Sequence, residues 1–268
     1  TLRPGTSAQC FAAPVEELSI TENTQPCLYC VDLAAARALE EAGVRPDYVA
    51  GFSLGEIAAL TFAGIFEDRQ GFDFVCKRGE AMQKAGEENP GAMAAVLKLT
   101  NQQVEELCQG FEKVWPVNYN CPGQLVCAGE TSQIDAFCQK VGEAGGRAKK
   151  LAVSGGFHSP FMESASDALR EVLAGEELRE PKVPVYANFH AKPYTLGSAK
   201  ELLVQQVKNP VRWQETVEAL SALGVDTFIE CGPGKTLSGL IRKTVKDATV
   251  LNVQDGESLS AALEALGR

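Results

Sequence analysis

The chain has 268 residues, of which 45% are hydrophobic and 22% are charged, the composition of an ordinary globular protein. This length predicts one large domain or one domain with an insert, and no apolar run reaches the roughly 18 residues of a membrane-spanning helix. The 25 Lys and Arg residues against 35 Asp and Glu residues give a net charge of −10, which argues against non-specific nucleic-acid binding because that binding needs a basic surface.

The segment before Pro90 alternates helical and strand-like patterns around one sharp turn. Apolar residues at helical spacing, followed by Gly43, predict a helix that ends at residue 42. A short β-like run leads into a tight turn at Ser53, and a helix follows that turn. In order, the predicted elements are a loop over 1–14, a helix over 31–42, a strand over 48–50, and helices over 56–66 and 70–85.

Between Pro90 and Val153 the pattern changes to six elements in the order β-α-β-β-α-β. The predicted strands cover 92–99, 114–119, 124–128 and 148–153, and the predicted helices cover 102–108 and 131–144. This order is the split βαβ arrangement of a ferredoxin-like unit. Because alternating strands and helices resume on both sides, we expect residues 90–153 to be an insert in a core formed by residues 1–89 and 154–268.

The segment after the insert returns to alternating strands and helices. It predicts a loop and helix over 154–174, a strand over 183–189, helices over 199–207 and up to 223, a strand over 227–233, and helices over 236–245 and 257–268. Strands alternating with helices are typical of a mostly parallel sheet, so the predicted fold class is α/β.

The nine cysteines are scattered along the chain and do not form a paired framework. Cys27 and Cys30 form a CxxC, but no second close pair or histidine pair completes a zinc site, and no metal is expected. No signal peptide is visible at the start of the sequence. We therefore expect small buried thiols in a reduced cytoplasmic protein.

One pentapeptide indicates nucleophilic chemistry. Gly51-Phe52-Ser53-Leu54-Gly55 fits G-x-S-x-G between a predicted strand and a predicted helix, the setting of a nucleophile elbow. The glycines permit a strained turn that raises the Ser53 hydroxyl above the strand end. The Leu54 N–H then lies at a helix N-terminus, which favours negative charge. The alternative is an ordinary turn between a strand and a helix.

A serine nucleophile needs a base, and the chain has only two histidines. His158 lies in a glycine-bearing loop before a helix, where it could act as the base or cap the start of the helix. His190 lies beside a turn and is expected to be an exposed loop imidazole. Arg78 could hold a carboxylate through two parallel hydrogen bonds, or pair at the surface with Glu80 or Glu56.

The chain resembles the malonyl-CoA:acyl-carrier-protein transacylase family over nearly its whole length. Seven segments in the family's order carry the resemblance: TENTQP (21–26), GFSLGE (51–56), KRGEAMQ (77–83), NYNCPGQLVCAG (118–129), GGFHSPFM (155–162), NPVRW (209–213) and ECGPGKTLSGL (230–240). The resemblance implies an α/β-hydrolase-like core with a parallel sheet and an inserted ferredoxin-like subdomain. It implies no cofactor.

The resemblance also assigns roles to individual residues. Ser53 corresponds to the acyl-accepting nucleophile, His158 to the general base, and Leu54 to the residue whose backbone N–H forms half of the oxyanion hole. Arg78 corresponds to the arginine that holds the malonyl carboxylate. Asn209 falls where a backbone carbonyl orients the histidine in place of an aspartate. Further substrate-lining positions are Gln25, Asn120 and Gln124.

The implied reaction transfers a malonyl group from malonyl-CoA to the phosphopantetheine thiol of acyl carrier protein through a malonyl-serine, as in fatty-acid synthesis. No nucleic-acid or membrane partner is expected. Arg147, Lys149 and Lys150 could form a basic patch for the carrier protein or only a solvated strand end. The alternatives are a malonyl-type acyltransferase of a polyketide pathway, a non-catalytic homologue that binds carrier protein or CoA, and a serine hydrolase.

Two features depart from the family pattern. Phe52 stands where the family usually has a histidine before the nucleophile, which changes packing and polarity beside Ser53. The family also opens with a strand and an FPGQGSQ-like loop whose glutamine supplies part of the oxyanion environment, and nothing in this sequence matches that opening. We therefore expect that the N-terminal segment is missing, with a second oxyanion donor lost.

Overall fold

Helices and strands alternate along most of the chain, as predicted for an α/β fold. The structure is a computed structural model that describes residues 3–153 and 155–268. Before residue 90 it contains α1 (Thr6–Ala12), α2 (Val15–Leu18), α3 (Thr21–Glu41), β1 (Val49–Ala50), α4 (Leu54–Phe62) and α5 (Asp68–Glu88). The helices predicted in this segment are confirmed as parts of α3, α4 and α5, with shifted ends.

The N-terminal segment is helical, so the loop predicted over residues 1–14 is wrong for its described part. Proline lacks a backbone N–H, so a proline in the sequence usually predicts the end of a helix. Pro26 nevertheless lies inside α3, where it cannot donate to the Glu22 carbonyl. The Arg3 guanidinium donates to that carbonyl instead, a contact across 19 positions that no local pattern reveals.

The middle segment forms one antiparallel sheet covered by two helices. Its elements are β2 (Gly91–Leu97), α6 (Asn101–Cys108), β3 (Val114–Cys121), β4 (Gln124–Glu130), α7 (Thr131–Glu143) and β5 (Arg147–Lys150), and the strand order is β3-β4-β2-β5. Val104 of α6 and Phe137 of α7 are completely buried with Ala94 of β2 in one cluster. The predicted β-α-β-β-α-β order is confirmed, although the last strand ends at Lys150 rather than at residue 153.

The final segment contains a 3-10 turn (Pro160–Met162), α8 (Glu163–Ala174), β6 (Val185–Tyr186), α9 (Leu196–Gln206), α10 (Trp213–Ala222), β7 (Thr227–Cys231), α11 (Thr236–Thr244), β8 (Thr249–Val253) and α12 (Gly256–Ala265). The strand predicted over 183–189 is only two residues long. Every helix predicted after residue 160 is present with shifted ends.

The parallel strands form two separate pairs, which differs from the single parallel sheet expected from the alternation. Within the described residues, β1 pairs only with β6, and β7 pairs only with β8. A cleft of about 950 Å³ is lined by both β1 and β7 and by residues of α3 and α4. Both β1 and β7 therefore border this cleft, and they do not pair with each other in the described residues.

The largest buried cluster fixes the helix that begins at the nucleophile. It joins α3, α4, α5, α8 and α9, and Ile57 and Leu60 of α4 are fully buried in it. Ser53 is the N-cap of α4, so burial of this helix also holds the turn before it in place. In the part of the chain that the structure describes, no helix is both long enough and apolar enough to cross a membrane.

Candidate active site

The turn at Ser53 is sharp and strained, as the G-x-S-x-G pattern predicts. Ser53 has φ 51° and ψ −104°, a backbone conformation that a non-glycine residue adopts only at a cost. A Cβ atom on Gly51 would lie 1.9 Å from the Gly55 carbonyl carbon, so the turn requires glycine there. Strand β1 and helix α4 thus meet in the strand–turn–helix geometry of a nucleophile elbow.

His158 lies against the Ser53 hydroxyl although 105 positions separate them in the sequence. The Ser53 Oγ and the His158 Nε2 are 2.8 Å apart. The Nδ1 of His158 lies 2.9 Å from the Gln206 carbonyl oxygen, which can only accept, so Nδ1 carries the proton and Nε2 is free to accept one. Burial, reinforced by the Arg78 charge, lowers the pKa of His158 to about 4, so the imidazole is neutral at pH 7.

The carbonyl that orients His158 belongs chiefly to Gln206, which corrects the expectation for Asn209. Gln206 is the last residue of α9, where carbonyl groups lack partners within the helix. The Asn209 backbone also favours the charged form of His158, but its effect on the pKa is smaller than that of Gln206. The Asn209 side chain turns away and donates to the Gln205 carbonyl at 2.8 Å.

Arg78 is buried beside the nucleophile, so the alternative of a surface ion pair is wrong. Its side chain donates to Gln25 Oε1 at 2.6 Å, to Gln206 Oε1 at 2.8 Å and to Ser53 Oγ at 3.1 Å. Burial lowers its pKa to about 10, so it stays charged at pH 7. Among residues 3–153 and 155–268 no carboxylate lies within ion-pair distance of it, and its Nε lacks a partner. A buried cation in this state is suited to binding an anionic group.

Of the remaining predicted residues, Gln25 joins the hydrogen-bonded group of Ser53, His158 and Arg78, whereas, within the described residues, Asn120 and Gln124 do not. Gln25 joins it through Arg78. Asn120 is buried at the end of β3 with its side-chain oxygen unpartnered, and Gln124 lies at the start of β4. As far as the structure describes the chain, neither hydrogen-bonds to Ser53, His158 or Arg78. His190 is half-buried and not exposed as expected, and within the described residues it accepts only from the N–H of Lys192 in its own turn.

The backbone N–H of Leu54 is positioned to stabilise negative charge. Leu54 is the first residue of α4, and its N–H has no acceptor within the described residues. A free N–H at a helix N-terminus directly after the nucleophile is the usual donor of an oxyanion hole.

Phe52 points its ring into an apolar cluster, where it packs edge-on against Trp213 with the ring centres 5.7 Å apart.

Three polar residues behind the turn were not among the predicted site residues: Glu56, Asn188 and Gln206. Glu56 is completely buried and accepts from Tyr194 Oη, Gln206 Nε2 and the Asn188 N–H. Burial raises the pKa of Glu56 to about 7. Glu56 could have been found because it follows Ser53 by one helical turn, but Asn188 and Gln206 lie more than 130 positions away in ordinary contexts.

Comparison with known proteins places this geometry in a family. The model of the acyl transferase domain matches residues 9–262. A malonyl CoA-acyl carrier protein transacylase from Bacillus subtilis is 38% identical to this chain over an alignment of 272 positions. The alignment covers 99% of this chain and 86% of that protein.

Solved structures agree with the sequence relatives. The malonyl CoA-acyl carrier protein transacylase from Clostridium perfringens superposes with a TM-score of 0.94 at 38% identity, covering 98% of this chain and 84% of that one. A malonyl-transacylase solved in complex with a type II PKS acyl-carrier protein superposes with a TM-score of 0.93 at 38% identity, covering 97% and 86%. The mixed α/β fold is thus shared along nearly the whole chain, and the chain belongs to the acyl transferase domain family.

Proposed function

We propose that this protein transfers a malonyl group from malonyl-CoA to the phosphopantetheine thiol of an acyl carrier protein, through a malonyl ester on Ser53. The observation that carries the proposal is the pairing of a Ser53–His158 contact of 2.8 Å with a buried arginine 3.1 Å from the same hydroxyl. The names of the relatives support the same reaction.

In the first half-reaction, the Nε2 of His158 takes the proton of Ser53 as the Oγ attacks the thioester carbonyl of malonyl-CoA. The Leu54 N–H donates to the oxyanion, and the Gln206 carbonyl stabilises the imidazolium through Nδ1–H. The tetrahedral intermediate collapses, the C–S bond breaks, and the coenzyme A thiolate takes the proton from His158. Malonyl-serine remains.

In the second half-reaction, the carrier's phosphopantetheine thiol attacks the ester carbonyl of malonyl-serine. His158 is neutral again and removes the thiol proton, and the Leu54 N–H again binds the oxyanion. The C–O bond to Ser53 breaks, and His158 returns the proton to the Ser53 Oγ. The products are malonyl-carrier protein and the free serine.

Arg78 selects the malonyl group by its free carboxylate. A guanidinium can bind a carboxylate with two parallel hydrogen bonds, and such charge-assisted bonds are stronger than neutral ones. An acetyl group leaves the buried cation without this partner. Gln25 and Gln206 hold the guanidinium beside Ser53, so the carboxylate and the reacting carbonyl are bound together.

We also propose the finer description of the fold and the surroundings of the site. Residues 1–89 and 154–268 form an α/β-hydrolase-like core, and residues 90–153 form a ferredoxin-like insert, which the strand order β3-β4-β2-β5 supports. Asn120 and Gln124 line the substrate path from that insert. Nine free cysteines fit a reducing compartment, so we place the protein in the cytoplasm.

The carrier protein is proposed to dock near the exposed basic residues of the edge strand β5: Arg147, Lys149 and Lys150. Lys150 pairs with Asp135 at 2.6 Å, which leaves the other two charges available. Carrier-protein surfaces are acidic, so a local basic patch can guide them to a chain of net charge −10.

The proposed pathway is fatty-acid synthesis. The neighbour that binds a type II PKS acyl-carrier protein makes polyketide synthesis the second candidate.

The reaction is tested by incubating the protein with malonyl-CoA and holo-acyl carrier protein and measuring malonyl-carrier protein by mass spectrometry. We expect catalytic turnover that Ser53→Ala abolishes. A protein that binds the carrier but forms no malonyl-carrier protein would be the non-catalytic homologue, and release of free malonate at the same rate without the carrier would indicate a hydrolase.

A further inference from the structure

The main chain of the nucleophile is held by side-chain amides from distant parts of the sequence. The Ser53 N–H donates to Asn188 Oδ1 at 2.7 Å, and the Ser53 carbonyl accepts from Gln206 Nε2 at 2.8 Å. Asn188 Nδ2 also donates to the Gly51 carbonyl at 2.6 Å. One primary amide thus binds the peptide groups on both sides of Phe52, as an adjacent backbone strand would.

Asn188 and Gln206 also donate to the same buried carboxylate, Asn188 through its backbone N–H and Gln206 through its side-chain amide. Glu56 Oε2 accepts from the Asn188 N–H and from Gln206 Nε2, each at 3.0 Å. Asn188 is 1% exposed and Glu56 is 0% exposed, so water does not compete for these hydrogen bonds. Asn188 is fixed further by its own carbonyl, which accepts from Arg212 N at 2.9 Å.

We propose that Asn188 is a positioning residue for acyl transfer, because its amide holds the strained turn in the conformation that aims the Ser53 Oγ at His158 Nε2. The inference rests on the proposed function of this site. The Asn188 side chain hydrogen-bonds to the backbone of Gly51 and Ser53 and, within the described residues, not to the Ser53 hydroxyl or the imidazole, so it acts through that backbone.

Loss of the amide would let the turn relax, because φ 51° and ψ −104° is not a conformation that serine prefers by itself. A displacement of about 1 Å between reacting groups can cost roughly 10²-fold in rate. Malonyl-CoA binding through Arg78 does not depend on the Ser53 N–H. The rate of acylation should therefore fall while the half-saturating malonyl-CoA concentration stays nearly constant.

The chemistry of an amide offers a sharper test through Asn188→Asp. A neutral carboxyl group has one acceptor and one O–H donor, so it can accept from the Ser53 N–H and donate to the Gly51 carbonyl as the amide does. An ionised carboxylate cannot donate. Activity of this variant should therefore rise as the pH falls, whereas the defect of Asn188→Leu should not depend on pH.

Glu56 also titrates within this pH range, because burial raises its pKa to about 7, so each Asn188→Asp rate is compared at the same pH with the rates of the wild type and Asn188→Leu, which both keep Glu56. The titratable and charged groups around the Asn188 amide are Glu56 on α4, Tyr194 after β6, Arg212 before α10, and His158 and Arg78 across Ser53. Burial and the nearby Glu56 favour the neutral form of an introduced carboxyl. Since the pKa of His158 is about 4, the base stays neutral down to about pH 5.

The experiment measures single-turnover acylation of Ser53 by malonyl-CoA, and its labelling by a small fluorophosphonate, from pH 5.5 to 8 in Asn188→Leu, Asn188→Asp and the wild type. Tyr29→Phe is the matched control, because it also removes a polar group with two hydrogen-bond partners, Thr61 and Asp68, neither of which belongs to the turn at Ser53. We expect about 10²-fold slower acylation and labelling in Asn188→Leu, at least a tenfold recovery of Asn188→Asp between pH 8 and pH 5.5, and wild-type rates in Tyr29→Phe.

Two results would overturn the proposal: wild-type labelling rates in Asn188→Leu, or an Asn188→Asp defect that does not change with pH. If Asn188→Leu fails to fold, the pH series of Asn188→Asp decides alone. The fluorophosphonate arm separates this inference from the proposed function, since it reports the reactivity of Ser53 even if malonyl-CoA does not acylate the wild type.

Discussion

Replacing Arg78 with alanine should convert a malonyl-selective site into one that no longer distinguishes malonyl from acetyl groups. The guanidinium is the only charged group that contacts the Ser53 hydroxyl within the described residues, and none of them places a carboxylate within ion-pair distance of it, the buried Glu56 acting on its charge only from farther away. Its binding energy is therefore available to the substrate.

The magnitude follows from the bonds that a bidentate carboxylate would make. Two hydrogen bonds to a charged group contribute about 1.5–3 kcal/mol each, which corresponds to roughly 10²–10⁴-fold in kcat/KM for malonyl-CoA. Arg78→Ala also leaves Gln25 Oε1 and Gln206 Oε1 without their donor, which costs about 1–3 kcal/mol of folding stability for each buried acceptor. An acetyl group has no carboxylate to bind Arg78, so its transfer should fall much less than malonyl transfer. Arg78→Lys keeps the charge but loses the planar guanidinium, and we expect its kcat/KM for malonyl-CoA to lie between those of the wild type and Arg78→Ala.

The assay compares kcat/KM for malonyl-CoA and acetyl-CoA in the wild type, Arg78→Ala and Arg78→Lys, with thermal unfolding as the control for folding. A selective loss of malonyl transfer supports the clamp. An equal loss for both acyl groups in a variant that still unfolds cooperatively would refute it, because Arg78 would then contribute to the structure and not to specificity.

The remaining predictions concern the base, the docking surface and the turn. Since the pKa of His158 is about 4, Ser53 acylation should stay flat from pH 8 to pH 6 and fall only as the pH approaches 4; a midpoint near 6.5 in a pH-rate profile would contradict this. Charge reversal at Arg147 and Lys149 should raise the KM for carrier protein and leave acylation unchanged, and equal effects in both half-reaction assays would exclude the patch. Gly51→Ala should lower the melting temperature and abolish acylation, because its Cβ would overlap the next turn of backbone; a wild-type melting curve would contradict the strained geometry.

The reacting groups could be predicted from sequence because each has a local signature. Ser53 lies in a five-residue pattern, and His158 is one of only two histidines, its role as the base being implied by the family resemblance. Asn188 could not be predicted, since its role depends on a loop after β6 meeting the turn across 135 positions. The carbonyl that orients His158 was predicted at Asn209, one helical turn after Gln206. The exact end of α9 decides which carbonyl is free, and the sequence does not fix that end.

Strand pairing and the N-terminus show the same limit. The alternation of strands and helices predicted the α/β class. It could not show that β1 and β7 line a cleft and do not pair with each other in the described residues. The sequence predicts a loop in place of α1 and α2 because Pro4 and Pro14 lie before these short helices, whereas hydrogen bonds to α3 hold them in place. In the insert, α6 and α7 were predictable because each buries one face, and β2 and β4 because each is a short, continuously buried apolar run.

The central claim is that Ser53 carries the malonyl group, and peptide mapping after incubation with malonyl-CoA tests it most directly. We predict an adduct of about 86 Da, the mass of one malonyl ester, on the peptide that contains Ser53, and its loss on addition of holo-acyl carrier protein. An adduct confined to another residue, or a Ser53 peptide that stays unmodified while malonyl-carrier protein accumulates, would contradict the account.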